Sequence, residues 1–137
     1  MKLYEAIRLG STLHPQVFNT LRTSTQGVTT GTCALGSALV AIGIGLSSLW
    51  ILDDLIPQEW KKLYKKPCCC PIDTACTVLT TVEAMITHLN DYHGLTREKI
   101  ADWLEPIEER WYESAIQPGV STQTPTVRDK VLVETIA

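Results

Sequence analysis

Apolar positions recur at helical spacing along much of this chain, and Pro, Gly and Thr set the intervals between them. Leu3, Ile7, Leu9 and Leu13 predict an amphipathic helix over 3–13, with Gly10 as an early stop. Pro15 disfavours the α region for His14 and breaks the pattern, and His14 itself is assigned no role. Residues 19–32 are rich in Thr, Ser and Gly and read as a loop or a ragged strand. Thr30 or Thr32 then caps a buried central helix over about 32–42, which a hinge at Gly43 and Gly45 ends. Pro57 opens a short helix with Ile56, Trp60, Leu63 and Tyr64 on one face and Lys61, Lys62, Lys65 and Lys66 on the other. Thr96 caps a later helix, with Leu95 and Ile100 as a hydrophobic staple. Its apolar face is Ile100, Trp103, Leu104, Ile107 and Trp111, with a kink or break expected at Pro106.

The tail from Gln117 turns at Pro118–Gly119 and alternates apolar with polar only in "KVLVETI", a possible strand that needs a partner. The expected fold is mainly α: a small helical domain with a finger-like ββα or helical module and a possible C-terminal β-strand. The expected organisation is an N-terminal helical region over 1–66, a Cys/His-rich module over 67–95, an amphipathic helix over 96–116 and a tail over 117–137.

One segment bears on the cellular compartment. Residues 31–52 form a 22-residue run without charge, long enough to cross a bilayer and followed by the lysine cluster. Its Gly, Ala and Ser content instead favours a buried helix, and a membrane segment stays as the alternative. The opening "MKLYEAIRLG" reads as an amphipathic helix rather than a secretory signal. With five cysteines, three of them consecutive, a disulfide framework is not expected, and a reducing cytoplasm is.

Net charge of −3 gives no global attraction to nucleic acid. Between Arg97 and Glu113 there are three basic and six acidic residues, a face that repels phosphate.

Chemistry concentrates in "CCCPIDTACTVLTTVEAMITHLNDYHG", Cys68 to Gly94. Two readings differ in where the helix before His88 begins. If Asp73 or Thr74 caps it, Val78, Leu79, Val82, Met85, Ile86 and Leu89 share a face. Cys76 and His88 are then about 18 Å apart, too far for one metal. If Thr80 caps it, with Glu83 completing a capping box, the chain folds back and thiolates can meet imidazoles.

The second reading resembles the C2H2 zinc finger, as Cys70-x5-Cys76-x11-His88-x4-His93, with Met85 at the family's leucine position. The cysteine spacing is longer than the family's, and Thr80 stands where a core aromatic is usual. "HLNDYHGLTREKIADWLE" also resembles segments of small uncharacterised phage and bacterial proteins; if the chain is phage-encoded, the cytoplasm expected for it is that of a bacterial host.

The resemblance implies zinc on Cys70, Cys76, His88 and His93, with Cys69 or Cys68 as substitutes for Cys70. Asp73, Glu83 and Asp91 are then candidates to orient a histidine. Four protein ligands make the role structural. No P-loop, dinucleotide fingerprint, nucleophile elbow or His-Glu-x-x-His helix is present, so an enzyme is not expected.

These residues point to a non-enzymatic interaction or assembly protein, oligomeric or partner-binding. Trp60, Trp103 and Trp111 serve as core or contact anchors, and Lys61, Lys62, Lys65 and Lys66 as a contact face. A nucleic-acid-binding regulator and a membrane-anchored protein are the alternatives.

Overall fold

The computed structural model describes residues 1–44, 52–73 and 80–115. It divides into two compact units, Met1–Glu105 and Pro106–Ala137. The described elements are helix α1 (Leu3–Gly10), strands β1 (Arg22–Thr25) and β2 (Val28–Thr32), helices α2 (Ala34–Ala41), α3 (Leu52–Leu55) and α4 (Gln58–Tyr64), strands β3 (Pro67–Cys68) and β4 (Thr80–Thr81), and helices α5 (Val82–Asp91) and α6 (Arg97–Ala115). The fold is therefore helical with two small antiparallel two-stranded sheets, and the mainly-α expectation is corrected to mixed. The C-terminal strand expected in the tail lies outside the described residues.

Helix α1 stops at Gly10, so Leu9 and Leu13 are exposed rather than part of one buried stripe. Gly10 is where α1 meets α2. A Cβ built there would lie 1.8 Å from the Ser37 carbonyl oxygen. Gly36 is held as tightly, its virtual Cβ 2.2 Å from the Leu21 carbonyl oxygen. These approaches explain the small residues at the contacts: α2 packs against α1 and the Leu21 backbone, and Gly36 leaves no room for a side chain. The described part of the uncharged run, 31–44, is packed in this way over 34–41. It is also interrupted, since Gly31–Thr32 end β2 and Gly43 takes φ +85°. No helix among the described residues is long and apolar enough to cross a membrane.

Replacing Gly10 by alanine should force backbone apart at this contact. The expected cost is about 2–3 kcal/mol, read as a lower denaturation midpoint in urea.

Of the two readings of the Thr-rich stretch, the ragged strand holds: it forms a hairpin with an irregularity between Thr23 and Ser24. Gln26 (φ +52°) and Gly27 (φ +79°) occupy a two-residue turn with both residues left-handed, the twist that matches paired strands. Cys33, not Thr30 or Thr32, caps α2, its sulfur accepting from Gly36 N at 3.4 Å. Thr32 is instead buried below it.

Trp60, Leu63 and Tyr64 of α4 are buried as their spacing predicts, though Pro57 is the N-cap of α4 and not its first residue. They join Leu3, Ile7, Ala38, Val82, Ile86, Leu89, Ile100 and Leu104 as the apolar core of the first unit. The buried face of α6 is rotated from the expected one. Arg97, Ile100, Ala101, Leu104 and Glu108 are buried, whereas Trp103, Ile107 and Trp111 are half-buried. The helix continues through Pro106 without a break.

Candidate metal centre

The site is built by a chain reversal and a helix end. Strand β3 pairs antiparallel with β4, Pro67 opposite Thr81 and Cys68 opposite Thr80, and Val82 N donates to the Lys66 carbonyl at 2.9 Å. Cys70 is therefore carried back toward α5. Helix α5 begins at Val82, one residue later than the capping-box reading, with Thr81 as the cap accepting from Ala84 N at 3.2 Å. A helical rod over 74–90 is excluded, because Thr80 and Thr81 are extended.

The two histidines meet because α5 ends between them. Five residues apart on a regular helix they would be about 140° apart around the axis. Here the last turn widens: Tyr92 N and His93 N both donate to the His88 carbonyl, at 2.9 and 3.2 Å, and Leu95 N donates to Leu89 O at 3.0 Å. Gly94, at φ +63°, lets the backbone leave in the left-handed region. His93 thus swings back to His88, ring centroids 4.7 Å apart and nearly perpendicular.

Donor atoms of Cys70, His88 and His93 all lie within 4.8 Å of one another. Cys70 Sγ and His93 Nε2 are 3.5 Å apart. Tetrahedral zinc, with bonds of roughly 2.3 Å to sulfur and 2.0–2.1 Å to nitrogen, sets those two atoms about 3.6 Å apart. Cys70 is buried and its sulfur also accepts from Asp73 N at 3.3 Å. The donor set fits zinc.

Compared with known protein families, curated proteins and solved structures, the chain has no match. Its own geometry is the ground for a functional reading.

Of the expected ligands the structure brings three together; Cys76 lies outside the described residues. The substitutes for Cys70 fall away from the site. Cys69 is exposed and Cys68 half-buried, and neither belongs to the group. Burial, then the neighbouring Cys69 and Cys70, push the Cys68 thiol up to about 11, so it stays protonated at neutral pH. Cys33 is pushed up as well, chiefly by burial.

The carboxylates expected to orient a histidine are placed otherwise. Asp73 contributes its backbone N–H to Cys70. Asp91 accepts from Asn19 N at 2.9 Å and Asn90 Nδ2 at 2.7 Å. Glu83 is exposed in the first turn of α5, away from the helix end where His88 sits.

Among the contact residues, Trp60 is a core side chain, its indole N–H donating to the Met1 carbonyl at 3.1 Å. Lys62, Lys65 and Lys66 are exposed and Lys61 is half-buried.

Sequence reasoning missed a buried polar hub next to the site. Asn90 Oδ1 accepts from Gln16 Nε2 at 2.8 Å and Ala34 N at 3.1 Å, and its Nδ2 donates to the Val17 carbonyl at 3.0 Å. Arg97 donates to the carbonyls of Ser11, His14 and Thr32 and to the Thr32 hydroxyl, at 2.7 to 3.3 Å. Burial lowers the pKa of that guanidinium. Asn90 ties residues 16–17 to the end of α5 beside His88, and Arg97 ties residues 11–14 to the start of α6. The only signal was a polar residue at a core position of each helix.

Proposed function

We propose that this chain is a non-catalytic binding module whose fold is stapled by one zinc ion on Cys70, His88 and His93, with Cys76 as the fourth donor. The observation supporting it is the convergence of one sulfur and two imidazoles within 4.8 Å from two separate segments. Zinc suits that mixed set as a borderline-soft ion. With four protein ligands no coordination position is left for a reacting water, so the ion's work is to hold the β3–β4 reversal against the end of α5. Function then lies in the surface so fixed, which meets a protein partner or a second copy of the chain.

Cobalt(II) titration of the full chain tests the staple. Tetrahedral ligand-field absorption and a sulfur-to-cobalt charge-transfer band should both saturate at one equivalent. In Cys76→Ser the bands should weaken and shift toward a site with one sulfur. Octahedral, weakly absorbing cobalt in the wild-type chain would refute the assignment.

A further inference from the structure

We infer that Tyr92 is the positioning residue of this metal centre, doing with its ring what a hydrogen-bonded carboxylate does in most zinc sites; the inference rests on the metal reading above. Metal-bound histidines usually donate their second ring N–H to a carboxylate or carbonyl, which fixes the ring. Among the described residues, no hydrogen bond reaches the His88 ring, and the one at His93 is shared with Cys70. The nearest carboxylate in sequence, Asp91, is taken by Asn19 and Asn90.

What both imidazoles do share is Tyr92. Its ring stacks on His88, centroids 5.1 Å apart and planes 13° from parallel. It also meets His93 edge-on at 5.0 Å and 84°. Both are favourable aromatic geometries. Yet Tyr92 is 75% exposed, a placement that core packing does not explain.

The consequence is kinetic as well as orientational. An imidazole leaves a metal by rotating about its side-chain bonds, and a ring lying flat on His88 blocks that rotation. A metal-bound imidazole is electron-poor, which strengthens its stack on the phenol ring. Tyr92 therefore slows metal loss, while the backbone turn it sits in is independent of its side chain.

The test is the rate at which zinc passes from the loaded full chain to excess chromogenic chelator, for wild type, Tyr92→Phe, Tyr92→Leu and Tyr92→Ala. Far-ultraviolet circular dichroism checks that the helices persist. Phe should match wild type, whereas Leu and Ala should release zinc about 10- to 100-fold faster, the usual effect of removing a group that orients a ligand. Cobalt absorption should broaden in the same two variants. Zinc-loaded Tyr92→Ala or Tyr92→Leu releasing metal at the wild-type rate would overturn the role of Tyr92 and leave the staple standing. A wild-type chain that takes up no zinc would overturn both.

Discussion

Replacing Cys70 by serine is expected to abolish the stabilisation that zinc gives the chain. A ligand that binds only the folded state, present at about a thousandfold its dissociation constant, adds about 4 kcal/mol. For a chain of this length that is on the order of 10–20 °C in Tm. Wild type should show that rise on adding zinc, and Cys70→Ser should show little of it. The hydroxyl neither ionises near neutral pH nor supplies the soft donor that selects zinc over harder ions. Cys69→Ser is the internal control, since Cys69 is exposed and outside the donor group. Thermal melts of the three proteins with and without zinc decide it. An undiminished rise in Cys70→Ser would show that zinc binds elsewhere.

Arg97→Met is expected to be the most destabilising single change that leaves the donor set intact, at about 3–5 kcal/mol. The wild-type guanidinium is buried and forks across two helix-flanking segments, reaching Ser11 and His14 on one side and Thr32 on the other. Methionine fills much of its volume but donates nothing, so the Ser11 and His14 carbonyls lose this partner. The Thr32 carbonyl fares better, because Val17 N still donates to it at 3.0 Å. Lysine should not rescue the loss, since a point charge cannot span acceptors that a planar fork reaches together. Urea denaturation should give a lower midpoint at unchanged slope. Faster amide exchange at Val17 and Thr32 would locate the opening. A midpoint within error of wild type would mean that solvent already serves these carbonyls.

How far the sequence disclosed this fold depends on what kind of residue did the work. Where apolar spacing decides, as for Trp60, Leu63 and Tyr64 or for Met85, Ile86 and Leu89, the buried faces were readable. Thr96 was readable as a cap and accepts from Lys99 N at 3.2 Å. The α6 stripe was misplaced because Trp is a large apolar residue that ranks high on any hydrophobic count, whereas the buried positions went to Arg97, Ala101 and Glu108. Burial of a polar residue is set by partners distant in sequence, and periodicity carries no trace of them. The pairing of the ragged strand was missed for a related reason: Gln26–Gly27 is a two-residue left-handed turn in a stretch where Thr23, Thr25 and Thr30 are exposed and only Thr32 is buried, so no alternation marked it.

The candidate site was legible in part. The residue types and spacings of Cys70, His88 and His93 stood out, and so did the choice between a rod and a reversal. What the spacing could not show is that α5 must end before His93 for the two rings to meet. That depends on the widened turn at His88 and the left-handed Gly94. Nor could it show that Asn90 anchors this end of α5 to Gln16, Val17 and Ala34.

Whether one thiolate and two imidazoles reach the same ion is read most directly by X-ray absorption fine structure of the zinc-loaded full chain. The expected spectrum has a sulfur shell at about 2.3 Å from Cys70, joined by any contribution from Cys76, together with imidazole scattering from two histidines at about 2.0–2.1 Å. A first shell of light atoms alone, with no sulfur, would contradict the shared ion.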